Sequence, residues 1–254
     1  MQEFRKVEGE FAYIDGGKGH PLVLLHGLMG GLSNFDAVFN YFTQAGYRVL
    51  IPEMPMYALP LLKTSINSLA KFLNKFFEQM GLNQFTLIGN SLGGHLALVY
   101  TKNHPEQVHS LVLTGSSGLY ESAMGDSFPR RGDYEYIKRK TEDVFYNKEV
   151  ATKALIDEVF ASVNNRDKVL RTLALSKSAI RHNMTTDLPH MQLPVCVIWG
   201  RQDAVTPPEV AVRFKDLLPN AELHWIDECG HAAMMERPDA FNELVHDFLK
   251  RKVG

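Results

Sequence analysis

Short, mostly apolar runs recur along the chain at Pro21–Leu25, Tyr47–Ile51, Phe85–Ile88, Val108–Thr114 and Val195–Trp199. A run without a polar face predicts a strand buried on both sides, and hence a parallel sheet. Helix-like stretches lie between the runs. Residues 34–45 are stopped by Gly46, and Ile66, Leu69, Leu73, Phe76, Phe77 and Met80 form a helical core stripe closed by Gly81. Residues 4–15 alternate and break at Gly9-Glu10, which predicts a hairpin, and Gly16 to Gly19 reads as a turn. His104-Pro105 ends a helix that follows the third run. Beyond Trp199 the pattern predicts a helix near 208–217, a strand at Glu222–Ile226 and a last helix from Pro238 to Lys250.

The rhythm breaks twice. Pro52 to Pro60 holds three prolines, which forbid regular structure. From Leu119 to Leu188 the chain is polar, aromatic and helical in pattern, with Asn147 a candidate N-cap for a helix carrying Val150, Ala154, Leu155 and Val159. Alternating strands and helices predict an α/β fold with a mostly parallel eight-stranded sheet flanked by helices. The interruption is too long for an αβ connection, normally about 2–6 residues. It reads as a helical cap, 119–188, inserted between the sixth and seventh strands. The cap lies over the carboxyl ends of the strands, where such sheets bind ligands. Residues 1–118 and 189–254 form the core.

Composition narrows the function by exclusion. The 254 residues suffice for one sizeable domain. A net charge of −2 gives no electrostatic footprint for nucleic acid or an anionic membrane surface. The polar N-terminus lacks a signal-peptide pattern, and no apolar run reaches the ~18 residues of a membrane span. Two cysteines, Cys196 and Cys229, make no disulfide framework, which fits a reducing cytoplasm. The oligomeric state stays open between monomer and homodimer.

The chemistry centres on Gly89-Asn90-Ser91-Leu92-Gly93, which stands between a strand and a helix. A serine on so sharp a turn sits in strained backbone, so its neighbours at two before and two after must lack a Cβ. The helix start aims backbone N–H groups at whatever the serine attacks. A serine nucleophile needs a base, and the base needs an orienting carboxylate. His231, in the loop after the last strand, is the candidate base. His95, His104, His224 and His246 lie within or at the ends of regular elements. Asp203, just past Trp199-Gly200, is preferred as the acid over Asp227, because the order is then Ser, Asp, His. An oxyanion needs two aimed donors. The N–H of Leu92 supplies one, and that of Leu28, in the glycine-rich loop after Pro21–Leu25, the other. His26 reads as a structural tie for that loop. Met29, Met54, Met56, Tyr57, Leu119 and Tyr120 are candidate pocket residues, or else core beneath the cap. No His/Cys/Asp/Glu set has a zinc-like spacing such as His-Glu-x-x-His.

Taken together, His26-Gly27, Gly89-Asn90-Ser91-Leu92-Gly93-Gly94, Gly200-Arg201-Gln202-Asp203 and Gly230-His231 resemble the α/β-hydrolase fold superfamily over about residues 4–251. The resemblance implies a Ser91–His231–Asp203 triad without a cofactor and a small-molecule substrate. The Gly-Asn-Ser elbow is similar to that of hydrolases cleaving carbon–carbon bonds in ring-fission products, and also to that of plain carboxylesterases. Two departures from the pattern matter. Pro52 to Pro60 replaces the usual Asp-x-x-Gly-x-Gly-x-Ser. Ala232 and Leu28-Met29-Gly30-Gly31 replace the tryptophan and Gly-Pro-Gly common in ring-fission hydrolases. These departures favour small apolar esters, with vinylogous diketone acids the alternative. A serine nucleophile argues against dehalogenases and epoxide hydrolases. A slow-turnover receptor on the same fold is the reading from another class.

Overall fold

The computed structural model describes residues 1–119 and 130–253. The strands are β1 (Arg5–Glu8), β2 (Phe11–Gly17), β3 (Pro21–Leu25), β4 (Arg48–Pro52), β5 (Phe85–Asn90), β6 (Val108–Thr114), β7 (Val195–Gly200) and β8 (Ala221–Ile226). They form one sheet in the order β1-β2-β4-β3-β5-β6-β7-β8. β1 and β2 form the expected hairpin, and β2 runs antiparallel to β4; every other pairing is parallel. Gly16 and Gly17 belong to β2, opposite Val49 and Arg48, rather than to a turn. Without side chains they let the strand run beside Phe39 and the Tyr47 carbonyl.

The helices are α1 (Asp36–Gln44), α2 (Ile66–Gln79), α3 (Leu92–Asn103), α4 (Tyr134–Glu142), α5 (Lys153–Asn164), α6 (Arg166–Arg181), α7 (Pro208–Leu217), α8 (Ala233–Glu236) and α9 (Pro238–Lys252). Strand side chains alternate between two cores. On β7, Val195, Val197 and Trp199 pack with α2, α3 and α7, whereas Cys196 and Ile198 pack with α1, α8 and α9. Both faces are apolar, so these strands carry no polar alternation.

Helices α4, α5 and α6 lie between β6 and β7. The helix expected to start at Asn147 is two elements. Asn147 caps only a 3₁₀ turn, Lys148–Val150, and Thr152 caps α5 by accepting from Leu155 N–H. Each cap satisfies an N–H that the helix cannot. Helix α6 crosses the proline-rich loop: Arg171 Nε donates to the Leu59 carbonyl at 2.9 Å, and Ser178 Oγ accepts from Ile66 N–H at 3.0 Å. Among the described residues no helix is long and apolar enough to cross a membrane.

Candidate active site

The carboxyl ends of β3, β5, β6, β7 and β8 converge on one edge of the sheet. Ser91 caps β5 with φ +56° and ψ −120°, a left-handed backbone that a residue with a Cβ seldom adopts. Three anchors hold it there. Ser91 N–H donates to the Thr114 carbonyl at 3.1 Å, and its carbonyl accepts from Ser117 N–H and His95 N–H. The flanking glycines are required by space. A Cβ on Gly89 would stand 2.5 Å from Gly94 Cα, and one on Gly93 would overlap the Leu25 carbonyl oxygen.

Asp203 is buried, and its two oxygens are fully committed. Oδ1 accepts from Val205 N–H and Thr206 N–H, both at 2.8 Å, and Oδ2 meets His231 Nδ1 at 2.9 Å. The backbone pair is an Asx-type turn that fixes the carboxylate before it meets the ring. Asp227 is placed elsewhere: its side chain is 77% exposed and pairs with Arg201.

The ring of His231 rests on Gly115, where a Cβ would lie 2.7 Å from Nδ1. Gly115 follows Thr114, whose carbonyl holds Ser91, so the end of β6 places serine and histidine side by side. Asn90 Nδ2 strengthens the link by donating to the carbonyls of both Thr114 and His231. Among the described residues no hydrogen bond joins Ser91 Oγ to the His231 ring. Such catalytic contacts are often long without substrate and tighten when it binds.

Gly27 backs onto Ser91, since a Cβ there would be 3.0 Å from Ser91 Cβ. Leu28 is the next residue of that loop and packs partly buried against the core. Leu92 is the first residue of α3, where an N–H has no partner within the helix. The loop carries its own strain at Met29, φ +62°. His26 Nδ1 lies 2.9 Å from the Gly27 carbonyl, and burial holds its pKa below the usual histidine range. A buried neutral ring bonded to its own loop is a tie.

Of the candidate pocket residues, Met56 and Leu119 are buried in the core, Met54 and Tyr57 pack partly buried against that same core, and Met29 is partly buried. Tyr120 lies outside the described residues. Four arginines of the cap segment that could meet a substrate carboxylate, Arg130, Arg131, Arg166 and Arg181, are all exposed. The cation set against a candidate pocket residue is Lys168, whose ammonium stands 5.3 Å from the Tyr57 ring centre. The sequence assigned no role to Gly115 or to Gln202, whose side-chain oxygen accepts from Cys229 N–H in the His231 loop. Gly115 had a signal, a glycine directly after a buried strand, and its φ is +52°.

Among the described residues, one His/Cys/Asp/Glu cluster has metal-compatible spacing: Cys196, Glu222 and His224, on β7 and β8 away from the serine. Glu222 there is already gripped by both Arg251 nitrogens, at 2.6 and 2.8 Å. Hydrolysis is therefore expected to persist in EDTA. Turnover lost in the chelator and restored by a divalent metal would contradict the donor arrangement around Ser91.

The profile of the alpha/beta hydrolase fold family matches residues 20–238. A crystal structure of an α/β hydrolase enzyme from the metagenome of sediments of the Mar Chica lagoon, Morocco, is 50% identical. It covers 98% of this chain and 99% of its own, with a TM-score of 0.82. A Pseudomonas 2-hydroxy-6-oxononadienedioate/2-hydroxy-6-oxononatrienedioate hydrolase is 29% identical over 97% of this chain and 94% of its own length. The Burkholderia vietnamiensis protein of the same name is 30% identical over 94% and 90%. With the sheet order and the strained serine already described, these matches establish that the chain belongs to the α/β hydrolase fold family and is a hydrolase.

Proposed function

We propose that the protein is a serine hydrolase using Ser91 as nucleophile, His231 as base and Asp203 as the orienting acid, and that its substrates are small apolar carboxylic esters. The observation that carries the reading is the strained Ser91 held beside a buried His231–Asp203 pair at 2.9 Å. His231 Nε2 takes the Ser91 proton as Oγ bonds to the substrate carbonyl carbon. The carbonyl electron pair moves onto oxygen, between the N–H groups of Leu28 and Leu92. Collapse breaks the bond to the leaving group, which receives the proton from His231. Water then repeats the sequence on the acyl-serine. Asp203 holds the imidazole with its proton on Nδ1 throughout. Residues 119–188 act as the cap that sets substrate size.

The ester reading rests on Ala232, where ring-fission hydrolases commonly carry tryptophan, and on the exposed positions of the cap arginines. A second reading, carbon–carbon hydrolysis of a vinylogous 1,5-diketone acid, matches the names of the curated relatives better than the ester reading does. Lys168 against Tyr57 is then the carboxylate anchor. An acyl-chain ester series measured beside such a diketone acid separates the two. Aryl esters with short acyl chains are expected to give the highest kcat/KM, with a broad optimum, since an apolar pocket discriminates by about 1–3 kcal/mol per methylene at most. If the diketone acid outruns every ester, and Lys168→Gln slows only the acid, the second reading replaces the first.

A further inference from the structure

The loop that delivers His231 has nearly every backbone polar group tied by hydrogen bonds. Cys229 N–H donates to Gln202 Oε1, and the Cys229 carbonyl accepts from Gln202 N–H, both at 3.0 Å. Gly230 N–H donates to Glu236 Oε2 at 2.7 Å. His231 N–H donates to the Val144 carbonyl at 2.8 Å, and the His231 carbonyl accepts from Asn90. Glu236 is the one charged partner in this set. It is 9% exposed. Its second oxygen, Oε1, accepts from Asn147 N–H at 2.5 Å.

Val144 and Asn147 belong to one short segment after α4, on the cap side of the chain. That segment is pressed against the loop: a Cβ on Gly230 would stand 2.5 Å from the Val144 carbonyl oxygen and 2.9 Å from Phe145 Cα. The Glu236 carboxylate therefore closes a ring. One oxygen holds the residue before His231, the other holds Asn147, and Val144 holds His231 itself. Arg237, the next residue, turns its guanidinium to Glu228 at 2.8 Å. Burial, with the Glu236 carboxylate beside it, pushes the Cys229 thiol up to about 12.

We propose that Glu236 is a positioning residue for the base, clamping the His231 loop to the cap segment between α4 and α5. The proposal rests on His231 acting as base for Ser91. A carboxylate suits the place because it offers an acceptor oxygen to each of two N–H groups. A glutamine there must turn its own NH₂ toward one of them, so one grip becomes a repulsion.

The test is Glu236→Gln, assayed with p-nitrophenyl acetate and by fluorophosphonate labelling of the serine. A base displaced by about 1 Å costs on the order of 10²-fold, so kcat and the maximal labelling rate should fall by about that factor. KM and the half-saturating probe concentration should stay within about threefold, because the substrate contacts are untouched. Parent-like kcat in a folded variant overturns the proposal, and so does a loss confined to KM. Should Glu236→Gln fail to fold, Asn147→Pro decides. It removes one clamped N–H, at a residue whose φ of −84° lies close to the range proline accepts. About a tenfold loss in kcat is expected, and an unchanged kcat overturns the clamp. Ser91→Ala run alongside separates the two claims. Turnover surviving there removes the serine–histidine reading and this one with it. Turnover lost there but intact in Glu236→Gln removes the clamp alone.

Discussion

Ser91→Ala is expected to fold normally and to lose hydrolysis by roughly 10⁴–10⁶-fold, because triad members act as a unit and the remaining donors stabilise only a fraction of the transition state. Folding should survive because the anchors of the elbow are backbone groups: Ser91 N–H to Thr114, and the Ser91 carbonyl to His95 and Ser117. Alanine keeps all of them. It also keeps the strain at φ +56°, so the variant should melt within a few degrees of the parent. Normal turnover by a clean preparation would remove Ser91 from the mechanism.

Asp203→Asn is expected to cost about 10⁴-fold in rate, as loss of the orienting carboxylate does in serine proteases. The Asx turn explains why. Val205 N–H and Thr206 N–H both point at Oδ1, so the amide of an asparagine must set its oxygen there. Its NH₂ then faces His231 Nδ1, which can only accept, and the ring proton moves to Nε2. A ring protonated at Nε2 cannot take the Ser91 proton. Asp227→Asn should stay within a few-fold of the parent, since it removes only an exposed pair with Arg201, and such pairs contribute about 0–1 kcal/mol. Equal losses in the two variants would mean that the acid has been placed on the wrong strand.

The residues differ in how plainly the sequence announces them, and the reasons are physical. The sheet was legible because strands buried on both faces have no polar option, and β6 and β7 begin where the apolar runs do. The elbow was legible because backbone overlap at Gly89 and Gly93 leaves glycine as the residue that fits. Asp203 and Asp227 each follow a strand by a few residues. Chain order favoured Asp203, and only the fold shows that Asp227 turns outward. The break between the Lys148–Val150 turn and α5 was hidden, because Asn147 and Thr152 are both good caps five residues apart. Glu236 gave no signal at all. A glutamate two residues before a helix-starting proline looks like a solvated helix end, and its partner Asn147 lies far away in sequence.

The sheet order bears on when activity can arise during synthesis. After β3 the strands join one edge in the order in which they are made: β5, β6, β7 and then β8. Each can dock on a template already standing, and domains commonly form from the N-terminal side as the ribosome proceeds. Ser91 and its glycine scaffold are therefore in place early. His231, the proposed base, arrives 140 residues later (231 less 91), beyond the final strand. Under the proposed mechanism a nascent chain carries Ser91 without its base until late in translation, and hydrolysis would begin only when β8 has paired and the loop behind it has closed over Gly115.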